Sequence, residues 1–529
     1  MSGIALLLLA ASAGHGLARW LRLPAVPFLV LAGFGLGLTE GVGEAFLQDA
    51  LVLGITFLVF AAGIELDLSR VRQQKRAALA VGVTQFVLLG GLGWMAALGL
   101  GFEGQTAAYL ALALTASSTL VAVRVLQQRR QLFEPFGRLV IGVLLFQDLL
   151  VILLIPVLTG LPGGATEVVR GVGSTLLLAG AAWLLLRGGL PRLLRRLALD
   201  EELLLLVVLA HLFAFLLVAN WLGVPLVSGA FVAGVALSSF PLNGVVRGQL
   251  TSIGDFFTGI FFAALGATLG VPTVDEVFQA AVLGLVVVVV TPLAVAAIAE
   301  RYGFSARPAI VSGLLLSQTS EFSLVVGLQG VALGQLAPGA FHVIALVTLG
   351  TMVLTPLLVR DGVVLRLLHL HPSRRRGADA QPPRDHVLLI GCGTNGTALL
   401  ETMIIGPHPI VVVDDDPGVV ARLRAAGVDV YRGDATDPGL LQRVGTAHAR
   451  VVVSTMGRAE DHALLLEEAR GVPTFVRAFG AADAEWLRQR GAHPVGYGDA
   501  AASTFLDWYD RRGWESPDSL ADEEFEDVL

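Results

Sequence analysis

Leu144-Leu145-Phe146-Gln147-Asp148-Leu149-Leu150-Val151-Ile152-Leu153-Leu154-Ile155 is an apolar run of bilayer depth with one carboxylate set in its middle. A charged side chain near the centre of a hydrocarbon slab costs roughly 3 kcal/mol even on the most lenient insertion scale, so it is kept mainly where it meets an ion, a proton or a partner. The plainer alternative is a carboxylate paired silently with a base on a neighbouring span. The other mid-span polar residues are mostly hydroxyls and acids, which favours the ion or the proton.

The chain has 529 residues, 55% hydrophobic and 15% charged, with a mean hydropathy of +0.74. That is too apolar for a soluble globule and marks a polytopic membrane protein. The apolar excess ends near residue 366, so the expected division is a membrane domain over 1–366, a linker over 367–384, a soluble domain over 385–512 and an acidic tail over 513–529. The formal charge of -7 sums a basic membrane face with that tail and decides nothing by itself. A single cysteine, Cys392, excludes an intrachain disulfide framework. The run Ile4 to Ala13 lacks a basic leader and the chain stays apolar well past it, so it reads as a first span and not as a signal peptide.

Hydropathy broken at glycine, proline and charge clusters gives about thirteen candidate helices, the fifth centred near residue 116, the sixth near 149 and the twelfth near 320. Basic connections (Arg70, Arg72, Lys75 and Arg76; Arg124, Arg129, Arg130 and Arg138; Arg187, Arg192, Arg195 and Arg196) alternate with ones that carry almost only Arg170. The positive-inside rule then puts the N-terminus outside and the soluble domain in the cytoplasm.

Pro27 to Leu36 resembles Pro225 to Gly234, Phe60-Ala61-Ala62-Gly63 resembles Phe262-Ala263-Ala264-Leu265-Gly266, and Leu114-Thr115-Ala116-Ser117-Ser118 falls on Leu316-Ser317-Gln318-Thr319-Ser320. All three pairs are displaced by about two hundred residues and seven spans. An odd offset turns the second copy upside down, the inverted-repeat construction of secondary transporters, whose sites lie between the repeats near the midplane. In each half one span is interrupted by polar residues: Thr115, Ser117, Ser118 and Thr119, then Gln318, Thr319, Ser320 and Glu321. Such residues satisfy backbone groups freed by local unwinding, and the exposed helix ends can coordinate cations; back-bonding of Ser and Thr to the preceding turn is the alternative. Glu321 joins Asp148 in a polar midplane patch. His211 and Gln85 read as interhelical hydrogen bonders. Glu65 and Asp67 fit an entry vestibule or a pairing with Arg70 equally.

These residues resemble the Kef-type potassium efflux systems within the second family of monovalent cation:proton antiporters. The resemblance rests on Ser117-Ser118-Thr119 before a basic loop, Leu144 to Asp148, Ser228 to Gly234, Gly259-Ile260-Phe261-Phe262 and Gln318-Thr319-Ser320-Glu321-Phe322. It implies a thirteen-helix antiporter fold with crossover helices, a dimerisation part and a mobile core, in which Asp148 alternately holds a proton and a cation. Members exchanging more than one proton usually carry two adjacent acids; Gln147 before Asp148 looks like the electroneutral branch. Gln318-Thr319-Ser320 stands where the family often has glycines.

In the soluble part, Val387 to Ile390 runs into Gly391-Cys392-Gly393-Thr394-Asn395-Gly396, and the next strand-like run, Ile410 to Val413, ends in Asp414. This strand, glycine turn, helix and strand-end acid form the dinucleotide-binding fingerprint. Gly391 would make the tight turn, Gly393 admit a phosphate to the helix N-terminus, Gly396 permit close packing, and Asp414 accept ribose hydroxyls and repel a 2'-phosphate. Strand-like runs at Val428 to Tyr431, Arg450 to Val453 and Thr474 to Arg477 complete a Rossmann-like doubly wound sheet. With Gly433-Asp434-Ala435-Thr436 after the third strand, residues 385 to 500 resemble TrkA-N (RCK) regulatory domains. That resemblance implies an adenine nucleotide (AMP, ATP/ADP or NAD(H)) held at Gly391 to Gly396, Asp414 and Asp434, in a domain that usually dimerises. An oxidoreductase would need a substrate domain with a proton relay, which the residues after the nucleotide fold do not provide.

The expectation is therefore not an enzyme but a K+/H+ antiporter of the bacterial inner membrane. Na+/H+ exchange and a ligand-gated K+ channel are its rivals. Membrane lipid, a second copy of the chain and an ancillary regulatory subunit are the expected partners.

Overall fold

The computed structural model describes residues 2–39, 42–65, 75–184, 201–238, 244–370 and 382–496. Asp67, Arg70, the basic run Arg187 to Arg196 and the acidic tail lie outside these. Most of Met1–Leu368 forms one compact unit, and His369 onward forms another.

In the first unit the apolar runs become α1 (Ser2–Leu21), α2 (Ala25–Gly37), α3 (Glu44–Glu65), α4 (Lys75–Gly99), α5 (Gly104–Thr115), α6 (Thr119–Gln128), α7 (Pro135–Gly160), α8 (Gly164–Leu184), α9 (Glu201–Trp221), α10 (Leu226–Ser238), α11 (Gly244–Thr268), α12 (Val274–Arg301), α13 (Ala306–Leu316), α14 (Glu321–Ala332), α15 (Pro338–Leu358) and α16 (Asp361–Leu370). Nine stretches among the described residues are long and apolar enough to cross a membrane, and shorter apolar helices lie at Ala25–Gly37, Leu226–Ser238 and Ser252–Thr268. Two of the long stretches, Gly104–Gln128 and Ala306–Ala332, are broken in the middle. The breaks, at 116–118 and 317–320, are where the polar interruptions lie in the sequence.

The internal repeat is visible as crossed packing. On α2, a side-chain carbon at Gly33 would stand 1.9 Å from the Ala263 carbonyl oxygen, and on α11 one at Gly266 would stand 2.0 Å from that of Val30. The reciprocal contact joins α3 to α10: a side-chain carbon at Gly63 would stand 2.5 Å from the Phe231 carbonyl oxygen and one at Gly234 would stand 2.2 Å from that of Phe60. Exchanging the sequence-matched members of the repeat (α2 with α10, α3 with α11) converts one helix pair into the other. Close backbone approach through glycine substitutes for the hydrophobic drive that helices lack among lipid tails. The lipid-exposed sides keep large apolar residues such as Trp94, Leu206 and Leu293 in the open.

The second unit is a six-stranded parallel sheet, ordered β3-β2-β1-β4-β5-β6. Its strands are β1 (Val387–Ile390), β2 (Ile410–Asp414), β3 (Asp429–Arg432), β4 (Val451–Ser454), β5 (Thr474–Ala478) and β6 (His493–Gly496). The expected strands are present to within a residue at each end; β6 was not expected, since Pro494 breaks its strand signal. Core side chains lie on both faces of the sheet, Leu388 and Ile390 on one and Leu389 with Val412 on the other. The chain order reverses between β1 and β4, so the loop after β1 opens at the switch point where this fold binds its ligands.

The glycine contacts make a sharp expectation. Gly266→Val forces α2 and α11 apart, costing at least about 3 kcal/mol, the upper end of ordinary overpacking. Thermal unfolding of the detergent-solubilised protein measures it, with Gly35→Val, which meets no atom within 4 Å, as the neutral control.

Candidate functional site

Each break leaves helix-end backbone groups without intrahelical partners, and in an apolar surround each must be satisfied by protein. Side chains of the opposite repeat and of the next helix do this. Ser117, in the first break, donates its hydroxyl to the Leu316 carbonyl at 2.7 Å, the last residue of α13 before the second break. Gln318, in the second break, donates its amide to the carbonyls of Ser118 at 3.3 Å and Leu315 at 3.2 Å. The Ser117 N–H is accepted by Gln147 Oε1 on α7 at 3.1 Å, and the Thr319 N–H by Thr351 Oγ1 on α15 at 3.1 Å. The helix following each break thus caps that break in the same way.

The half-helices that leave the breaks are capped at their N-termini by their own serines. Ser118 Oγ accepts from the Val121 N–H at 3.3 Å and Ser320 Oγ from the Phe322 N–H at 3.2 Å. Thr115, at the end of α5, donates back to Leu112, the local use that its type allows. Thr119 donates to Asp148 Oδ2 at 3.2 Å. Glu321 opens α14, where the helix N-terminus favours a negative charge, directly after the N-cap Ser320. Asp148 is 6% exposed and Glu321 5%, yet Asp148 Oδ1 and Glu321 Oε2 have no hydrogen-bond partner among the described residues. Glu65, the last described residue of α3, is close enough to act electrostatically on both carboxyls.

The fold therefore gathers Thr119, Gln147, Asp148, Ser117, Ser118, Gln318, Thr319, Ser320 and Glu321 around the two breaks. Gln147 turns out to hold backbone as well: its Oε1 accepts the Ser117 N–H, which leaves that oxygen a second lone pair. Thr348 and Thr351, which bond Thr319, and Ser323, which donates to the Ala113 carbonyl, were missed. The signal was there in Thr348, Thr351 and Thr355, one helical face of hydroxyls inside an apolar span. His211 bonds the Ala233 carbonyl at 3.2 Å, an interhelical tie away from the breaks.

In the soluble unit the loop after β1 has the geometry its glycines require. Gly391 has φ +81, in the region open to glycine. A Cβ at Gly396 would meet the Gly391 carbonyl oxygen at 2.1 Å, whereas one at Gly393 meets nothing within 4 Å. Gly393 is the N-cap of α17 (Thr394–Met403), so Thr394 and Asn395 form its first turn. Asp414 does something that was not expected: its Oδ2 accepts the Cys392 N–H at 2.6 Å and its Oδ1 the Asp416 N–H at 2.8 Å, anchoring the glycine loop to the end of β2. Burial pushes the Asp414 carboxyl above its ordinary range, against those two N–H bonds, and burial raises Asp434 likewise. Asp434 accepts the Thr436 N–H at 2.9 Å in the turn after β3. Open space at a helix N-terminus beside a strand-end carboxylate fits a phosphate and a ribose.

Removing a break's cap tests this arrangement. Thr351→Val keeps shape but leaves the buried Thr319 N–H unpaired, a loss of about 1–3 kcal/mol, read as a lower melting temperature in detergent that Thr351→Ser restores.

The first unit matches the family described as sodium/hydrogen exchanger, transmembrane, over residues 4–360, and the second matches the TrkA-N domain over 387–497. The glutathione-regulated potassium-efflux system protein KefC of Shigella flexneri serotype 5b (strain 8401) is 27% identical over 425 residues, 78% of this chain and 68% of that protein. The Escherichia fergusonii protein of the same name is 28% identical over 427 residues, with the same two coverages. Among solved structures, the TrkA-N domain of inner membrane protein ybaL from Escherichia coli is 24% identical, with a TM-score of 0.23, covering 24% of this chain and 97% of that one. The GsuK channel bound to NAD is 20% identical, with a TM-score of 0.20 and 42% of each chain covered. The match over residues 4–360 spans more than half of the chain: the chain belongs to the sodium/hydrogen exchanger family of cation:proton antiporters and carries a TrkA-N domain, and it is not an enzyme.

Proposed function

We propose that the protein exchanges K+ for H+ electroneutrally across a bacterial inner membrane, with Asp148 as the exchanging carboxyl. One observation carries this: a buried carboxylate, held on one oxygen by Thr119 and unpartnered on the other, stands where the two broken helices meet. A proton and a cation cannot both occupy one carboxylate, since the cation stabilises only its charged form. Binding one ligand therefore releases the other, and a rigid-body movement of the core exposes the site to each side in turn. Glu321 supports the charge balance of the site, and Thr119 orients Asp148. The nearness of Glu65 supports its reading as a vestibule for arriving cations. Gln147 in place of a second acid supports one proton per cation.

The choice of K+ follows the potassium-efflux relatives; Na+ is the second reading within the same chemistry. The TrkA-N match and the open glycine loop support regulation by an adenine nucleotide, its phosphate at Gly393 and α17, its ribose on Asp414 and its base toward Asp434. A dimer joined through this domain, with the domain in the cytoplasm, completes the reading.

Proteoliposomes offered K+ and Na+ separately provide the test. Asp148→Asn abolishes cation-driven proton movement while the protein stays monodisperse in detergent; substantial exchange by this variant removes Asp148 from the mechanism. For the nucleotide, Gly393→Val fills open space and abolishes binding by the full-length protein without unfolding it. Gly396→Val drives a methyl group into the Gly391 carbonyl and disrupts the loop itself. Calorimetry with AMP, ADP and NAD+ on both variants, beside their melting curves, separates the two; retained affinity in Gly393→Val overturns the phosphate position.

A further inference from the structure

Gln85 is the one polar residue among the buried residues of α4, and it is 1% exposed. Its place is fixed by packing: three residues earlier, Gly82 lies against the ring of Phe146, where a side-chain carbon would come within 2.7 Å, and farther along α4, Gly93 lies against Leu114. The helix is therefore pinned between α7 and α5, with Gln85 at the level of the first break. There its Nε2 donates to Ser117 Oγ at 3.2 Å.

The hydrogen-bond inventory makes that contact directional. A serine hydroxyl has one proton, and an amide nitrogen only donates. With Gln85 donating, the Ser117 proton is committed to the Leu316 carbonyl, 2.7 Å away. With the amide turned over, the single proton would face two acceptors, Gln85 Oε1 and the Leu316 oxygen, and one would go unpaired in addition to the amide atom turned away from Ser117. As the amide stands, that atom is Oε1, which has no hydrogen-bond partner among the described residues. The Ser117 N–H meanwhile is held by Gln147, the residue before Asp148. A continuous chain thus runs from Gln85 through Ser117 to Gln147 on one branch and to the end of α13 on the other.

We infer that Gln85 is a positioning residue for exchange: it orients the Ser117 hydroxyl so that the two broken helices stay joined in register beside Asp148. The inference rests on the reading of Asp148 as the exchanging carboxyl. Gln85 need not touch the ion. It acts through Ser117, so its effect falls on cation affinity and on the competition between cation and proton, more than on turnover.

The test is a double-mutant cycle in proteoliposomes, measuring cation-driven proton movement against K+ and Na+ concentration from acid to alkaline pH. Gln85→Met keeps the volume and removes the donor; Ser117→Ala removes the hydroxyl. Each single variant is expected to raise the apparent KM for the cation by about five- to tenfold, the scale of one lost hydrogen bond in a buried site, and to displace the pH profile, with a smaller change in kcat. The double variant is expected to be no worse than the weaker single, because both remove the same link. Gln85→Glu, whose carboxylate competes for the Ser117 proton, is expected to be worse than Gln85→Met, and Ser117→Thr to restore the parent KM. Effects that multiply in the double variant, or a Gln85→Met protein with parent KM and pH profile, overturn the inference while leaving Asp148 in place. A parent protein that moves no protons in response to either cation overturns the underlying reading and this inference with it.

Discussion

A broken helix in an apolar surround has backbone groups that nothing in the solvent will satisfy, and the described residues contain two such breaks, at 116–118 and 317–320. The Ser117 hydroxyl on the Leu316 carbonyl is the bond that settles both at once, because it spends a side chain of the first break on the last carbonyl before the second. Gln318 returns the favour to Ser118. Once the breaks are locked to each other, the following helices can cap them, Gln147 for one and Thr351 for the other. Asp148 owes its position to this lock: it follows Gln147 directly, so whatever holds Gln147 on the crossover also holds the carboxylate beside it.

The two halves use one plan with different chemistry. In the first half the capping residue is an amide and the next residue is an acid; in the second the cap is a threonine and the acid, Glu321, has moved onto the half-helix itself. Glu321 therefore gains from a helix N-terminus, while Asp148 accepts from one threonine. Around this centre the glycine-mediated pairs, α2 with α11 and α3 with α10, form a separate repeat-related frame. Its contacts are backbone to backbone, so it has little freedom to deform.

In the TrkA-N unit a single carboxylate ties the glycine loop to the end of a strand. Asp414 lies at the end of β2 where a ribose would be met, but its two oxygens already hold the N–H groups of Cys392 and Asp416. A carboxylate oxygen has a second lone pair, so both duties are compatible. The consequence is that the shape of the glycine loop and its readiness for ligand depend on the same carboxylate.

Much of this was written in the sequence because it follows from cost and periodicity. Apolar runs of bilayer length, an acid inside one of them, polar interruptions at matching places two hundred residues apart and glycines ahead of a helix each have one economical physical reading. Those readings located the breaks, the repeat, Asp148, Glu321 and the nucleotide loop. What the sequence left open were the partners. Gln85 read as an ordinary interhelical bonder because its hydrogen bond reaches 32 residues along the chain, to a serine whose own acceptor lies another 199 away. The backbone contact of Gln147 was not legible either, because the Ser117 N–H that it holds lies 30 residues away along the chain. Thr351 and the second duty of Asp414 were hidden for the same reason. Local sequence determines which groups are left without a partner, but only the tertiary fold, by bringing distant segments within 3 Å or so, the reach of a hydrogen bond, decides which group answers them.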